Sequence, residues 1–74
     1  MYYKVIYTDG SENDFDNKCN EIRFGEKEGF ISFYDMGMEI VDDIDPLFRG
    51  VSHYVHILLS YVNKDSIKEI VCIN

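Results

Sequence analysis

Seventy-four residues, with seven Lys/Arg against fourteen Asp/Glu and a formal charge of −7, make one small domain. A core of that size seldom supplies more than about 3–5 kcal/mol, which argues against a second domain and against a deep cleft with a full catalytic set. The acidity argues against direct binding of nucleic acid, which needs a basic face, while 46% hydrophobic residues are enough to build a core.

In chain order, residues 2–8 are rich in aromatic and β-branched types. Tyr3, Val5 and Tyr7 share one face at period two, opposite Lys4 and Thr8, which predicts a half-buried strand. Asp9-Gly10 is a turn signal. Asn13 to Asn20 is polar apart from Phe15 and Cys19, and a short strand is expected around Phe15. Residues 20–24 alternate again, with Ile22 and Phe24 facing one way and Glu21 and Arg23 the other. The stretch Gly25-Glu26-Lys27-Glu28-Gly29 has hairpin-loop length. Residues 30–35 are apolar on both faces, with Ile31 and Phe33 on one and Phe30 and Tyr34 on the other, as expected of a central strand. Met36-Gly37 reads as a second tight turn and Met38 to Val41 as a further strand, so that residues 20–44 form a three-stranded meander. Most of Tyr3, Tyr7, Phe24, Phe30, Phe33 and Tyr34 are expected in the core.

Residues 46–62 admit two readings. As a helix, Asp45 caps it and Pro46 is its first residue, with Leu47, Val51, Tyr54, Val55, Leu58, Tyr61 and Val62 on one face. As a strand, Val51, Val55, Ile57, Leu59 and Tyr61 share a side, and the Val, Ile and Tyr content favours β. Gly50 weighs against the helix. Ile67 to Ile73 returns to a strand, with Ile67, Val71 and Ile73 on one face. The fold expected is mainly β, a small antiparallel sheet or barrel of five or six strands. The alternative is α+β with one helix at about 46–62 packed on the sheet.

Charge is segregated. Asp9 to Asp45 holds twelve acidic and three basic residues, a net of −9, and each flank carries +1. Such a half is either a solvated surface that keeps the protein dispersed or a surface that competes for a basic groove. Cys19 and Cys72 are too few for a disulfide scaffold, and no apolar run is long enough for a signal or a membrane span. These features predict a cytoplasmic chain with two reduced thiols. Cys19, His53, His56 and Cys72 have the ligand types of a zinc site but lack the close C-x-x-C pairing. Asp14, Asp16, Asp42, Asp43 and Asp45 do not fit a calcium loop. No nucleophile elbow, phosphate loop or H-E-x-x-H is present. The expectation is a non-enzymatic protein without cofactor or metal.

Three stretches, Lys4-Val5-Ile6-Tyr7-Thr8-Asp9-Gly10-Ser11, then Glu21-Ile22-Arg23-Phe24 with Gly29-Phe30-Ile31-Ser32-Phe33-Tyr34-Asp35, then Tyr61 to Ile70 with its Ser66-Ile67-Lys68-Glu69-Ile70 close, together resemble small uncharacterised β-roll or barrel proteins of Gram-positive phages and mobile elements. The resemblance covers about half of the chain, its motifs are turns and strand faces, and it implies a strand at 53–62. The chain departs from it by inserting Asp43 to Ser52. Small size, segregated acidity, the absence of catalytic motifs and this mobile-element likeness together point to an acidic inhibitor or decoy, as anti-CRISPR proteins are, expected to act in the host cytoplasm on a host protein with a basic nucleic-acid groove. Asp14, Asp16, Glu26, Glu28, Asp42 and Asp43 would occupy Lys/Arg sites meant for phosphates, with Phe48 and Arg49 as an interface anchor. The alternative is a small oligomeric β-barrel that pairs exposed sheet edges and holds a small ligand near His53, His56 or Arg49.

Overall fold

The computed structural model describes residues 1–41 and 51–74, with side chains for 1–38 and 54–74. Six strands run through it: β1 (Tyr2–Tyr7), β2 (Glu12–Asn13), β3 (Glu21–Phe24), β4 (Phe30–Val41), β5 (Val51–Asn63) and β6 (Ile67–Ile73). They form two antiparallel three-stranded sheets, ordered β2-β1-β6 and β3-β4-β5. No α-helix occurs among the described residues; short 3-10 segments lie at Phe15–Asn17 and Lys64–Ser66. The mainly β, antiparallel expectation therefore holds.

The helix alternative fails where it can be read, because residues 51–62 belong to β5; residues 46–50 lie outside the described residues. A helix would bury Tyr54, Leu58, Tyr61 and Val62 together, whereas the first three are exposed and only Val62 is buried. The backbone of β5 finds its partners in β4, in an unbroken register from Asp35↔Ile57 to Val41↔Val51.

That same register overturns the expected turn at Met36-Gly37. Both residues lie within β4, opposite His56 and Val55, and a tight hairpin turn would need positive φ, which Gly37 does not adopt. The three-stranded meander over 20–44 is accordingly two strands, with β5 as the third member of the sheet. The short glycine side suits the packing: a Cβ on Gly37 would stand 2.7 Å from Ile57 Cδ1.

The strand expected around Phe15 is also replaced. Of residues 12–20 only Glu12–Asn13 forms a strand, paired with β1, and Phe15, Asp16 and Asn17 all take positive φ. Such conformations cost L-residues about 1–2 kcal/mol each. Local partners offset this: Asn13 Oδ1 accepts from Phe15 N–H at 2.9 Å and Asp14 Oδ1 from Asp16 N–H at 3.0 Å. The turn drops the Phe15 ring onto Phe33, with centroids 4.8 Å apart and planes stacked. The Asp9-Gly10 turn and the Gly25–Gly29 hairpin loop both form as expected, with Gly10, Gly25 and Gly29 at positive φ.

The sheets share a core of Val5, Cys19, Phe33 and Val62, walled by Tyr3, Tyr7, Phe15, Ile22, Ile31, Leu59, Ile67 and Ile70. A bulge in β5, where Tyr34 pairs with Leu58 and Phe33 with Ser60, turns Leu59 inward. Phe24, expected in the core, is 72% exposed at the end of the short β3. This body occupies one end of the molecule. Beyond Tyr34, β4 and β5 continue as a two-stranded arm, Asp35–Val41 against Val51–Ile57. The radius of gyration is 15.8 Å and the extents are 53 × 28 × 13 Å, whereas a rounded domain of this length has a radius of about 11 Å.

Candidate functional site

Of the residues expected to meet a partner, Asp14, Asp16, Glu26 and Glu28 lie among the described residues. Asp14 and Asp16 sit on the left-handed turn over the core, both exposed. Glu26 and Glu28 are exposed in the β3–β4 loop. That loop lies near the Asp9–Ser11 turn, because Lys64 N–H donates to Gly29 O and Thr8 N–H to Ser66 O, both at 2.9 Å. Asp42, Asp43, Phe48 and Arg49 lie outside the described residues, in the segment that follows β4. The four described members belong to the body.

The carboxylates also differ in how free they are. Glu26 is engaged. Tyr34 Oη–H donates to its Oε1 at 2.6 Å, and Arg23 Nη1 lies 3.4 Å from its Oε2. These partners, Tyr34 first, hold its carboxyl below the usual range. Glu28, Asp14 and Asp16 have no ion pair among the described residues. Asp9 is committed to its own turn, where Ser11 donates through both N–H and Oγ–H and lowers the Asp9 pKa.

Sequence reading missed the cluster that the β3-β4-β5 register assembles. Glu21 pairs across from Tyr34, Arg23 from Ser32 and Met36 from His56, which sets them on the face turned away from the core. The Arg23 guanidinium lies 4.3 Å from the Tyr34 ring centroid and 3.1 Å from Glu21 Oε2. His56 Nδ1 is 2.6 Å from the same Glu21 oxygen. Arg23, and to a lesser degree His56, pull the Glu21 carboxyl below its usual range, and Glu26 raises the Tyr34 phenol above its own. Beside it, Lys27 Nζ lies 4.5 Å from the Phe30 centroid and 5.1 Å from that of Tyr61. Each cation here already has an acidic or aromatic partner. The cluster ties β3, the hairpin loop and β5 together, and exposed pairs of this kind add little each.

On the arm the same face changes character. Met36, Met38 and Tyr54 are exposed, Met38 and Tyr54 at 65% and 67%, and Leu58 is exposed where the arm meets the body. His53 lies opposite Glu39 in the register. Of the two histidines only His56 has a described side chain, and it is engaged with Glu21. The spacing of Met36 and Met38, with Tyr54 and His56 two apart on the partner strand, is a strand signal visible only once Met36-Gly37 is not taken for a turn.

Cys19 is buried and Cys72 exposed, both free. Burial raises the Cys19 thiol pKa, and its Sγ–H points to Glu21 O at 3.4 Å. Among the described residues no group of three or more His, Cys, Asp or Glu is placed to hold a metal, and no pocket opens. The described residues contain no helix long and apolar enough to cross a membrane. No protein-family model, curated protein or solved structure matches the chain.

Proposed function

We propose that this chain is a non-catalytic acidic binding protein that docks its carboxylate-bearing surface onto a basic groove of another protein, in the manner of a phage or mobile-element inhibitor of a host nucleic-acid-handling protein. The carrying observation is that Asp14, Asp16 and Glu28 stand exposed and without ion pairs among the described residues, in a chain of net charge −7. Carboxylates already neutralised within the fold, such as Glu21 and Glu26, contribute field but no free contact. Free ones supply the complementary charge that steers association and selects a cationic site. Asp42 and Asp43 extend the acidic surface in sequence, with Phe48 and Arg49 as the anchor of the same reading.

The test is capture of partners from a Gram-positive host lysate at low and raised salt, repeated with competing duplex DNA and with the triple variant Asp14→Asn, Asp16→Asn, Glu28→Gln. Asparagine retains the side-chain oxygen that Asp14 uses in its turn and tolerates the left-handed backbone at Asp16. A stoichiometric partner that salt and DNA displace, and that the triple variant loses, supports the reading. A partner held equally by the wild type and the variant excludes it. Charge reversal at Asp42 and Asp43 asks the same question of the segment following β4.

A further inference from the structure

We infer that a second copy of this chain docks along the open edge of β5 in the arm, antiparallel, so that two ribbons become one four-stranded sheet. This inference goes beyond acidic docking and does not depend on it.

A two-stranded ribbon is marginal in water, and three or more strands with an apolar face are needed for independent stability. The arm runs for seven unbroken register pairs, from Asp35↔Ile57 to Val41↔Val51, with no third strand among the described residues. It also exposes Met36, Met38, Tyr54 and Ile57. Pairing with a copy doubles the strand count and makes the two apolar faces continuous.

Charge selects which edge pairs. Proteins guard exposed strand edges with charges, bulges or short length. Here β2 is two residues long, β3 carries Glu21 and Arg23, and β6 carries Lys68 and Glu69. The arm portion of β4 carries Asp35 and Glu39, so self-pairing there would bring acids together. Alone among the edges, β5 has no Asp, Glu, Lys or Arg in thirteen residues. Its bulge at Leu58–Ser60 breaks the edge only beside the body and leaves Val51–Ile57 straight. In a chain of net charge −7, this is the strand that a copy can approach without like charge facing like charge. Antiparallel pairing of a strand with itself is two-fold symmetric, so the contact closes as a dimer.

An edge of seven residues is about 24 Å long, short of the roughly 800 Å² per partner of a standard interface. The association is therefore weak and concentration-dependent. Because the copies repel elsewhere, added salt strengthens it, whereas salt weakens binding to a basic partner. The two readings can thus fail separately.

The experiment is sedimentation equilibrium of the full chain from about 10 μM to about 1 mM, the range suited to an interface below standard size, at two salt concentrations. Amide hydrogen exchange is followed in parallel. The expected result is a mass that rises from 8.7 kDa toward twice that value, more readily at high salt. Protection should grow with concentration at those amides of Val51–Ile57 that point away from β4. Tyr54→Glu, which sets like charges close across the two-fold, abolishes the rise, while Phe24→Glu, exposed on β3, leaves it intact. Circular dichroism of both variants confirms that they are folded. A mass of 8.7 kDa at every concentration overturns the inference, as does a dimer unaffected by Tyr54→Glu or without protection on β5.

Discussion

The body and the arm share two strands but not the same physics. From Ile31 to Tyr34, β4 has β3 on one side, β5 on the other and the second sheet beneath it, and Phe33 is fully buried. From Asp35 onward it has β5 alone, and Met38 is 65% exposed. Large apolar residues occur in both parts of the strand; what differs for them is how many strands lie alongside. Apolar residues stabilise a fold only where another layer covers them. The body therefore carries the folding free energy, and the arm carries exposed surface.

The sharpest way to break this contrast is Phe33→Ala. Removing a buried Phe costs about 3–5 kcal/mol, comparable with the roughly 3–5 kcal/mol that a core of this size supplies, so denaturant titration should find this variant largely unfolded. Met38→Ser on the arm should shift the same midpoint by no more than about 0.5 kcal/mol. Equal losses would show that arm and body fold as one packed unit.

The thiols report the same difference kinetically. Cys72 should react with iodoacetamide in the folded chain. Cys19, buried with a raised pKa, should react about 10²–10⁴ times more slowly, since its exposure requires unfolding of the core. Mass spectrometry should show one alkylated thiol per native chain and two after denaturation, with Phe33→Ala erasing the gap. Equal rates in the wild type would place Cys19 outside the protected core.

Titration tests what fastens β3 to its neighbours. The folded-state pKa values of Glu21 and Glu26 lie below their ordinary 4.5. Their contribution is therefore present above that value and is lost as pH falls through the folded pKa. Tyr34 lies above its ordinary 10.0, so its contribution is full below pH 10 and is lost as pH rises further. Apart from the loss that the buried Cys19 thiol adds as pH rises above its ordinary 9.0, thermal unfolding should be flat between these limits and fall modestly on both sides. Tyr34→Phe should reduce the alkaline loss, and an unchanged alkaline limb in that variant would exclude Tyr34 as its source. The smallest effect expected is at the left-handed turn: Asn17→Gly, at φ 61°, should raise stability by less than about 1 kcal/mol.

Much of the body was legible in the residues. Alternation in 2–8, 20–24, 30–35 and 67–73 identified four strands, and Asp9-Gly10 and Gly25–Gly29 identified two turns, because period-two patterning and glycine φ are local properties. The errors fell where neighbours distant in sequence decide. Phe15 looks like a strand residue but is held in a left-handed turn by Asn13 and Asp14, so as to stack on Phe33. Phe24 alternates correctly, yet nothing covers it at the end of β3. Met36-Gly37 has turn composition, but thirteen residues of β5 lie alongside and supply its register.

The candidate site divides in the same way. Exposure of Asp14, Asp16, Glu26 and Glu28 followed from charge in loops. That Arg23 and Tyr34 occupy Glu26, that His56 meets Glu21, and that β5 has an open uncharged edge depended on strand register and sheet order. By itself, then, the sequence determined a small, acidic, strand-rich chain, since composition, alternation and turn chemistry act within a few residues. Only the tertiary structure decided which carboxylates are free, which apolar residues are covered and where β4 and β5 outrun the body, because each of these depends on segments that burial and hydrogen bonding bring together from opposite ends of the chain.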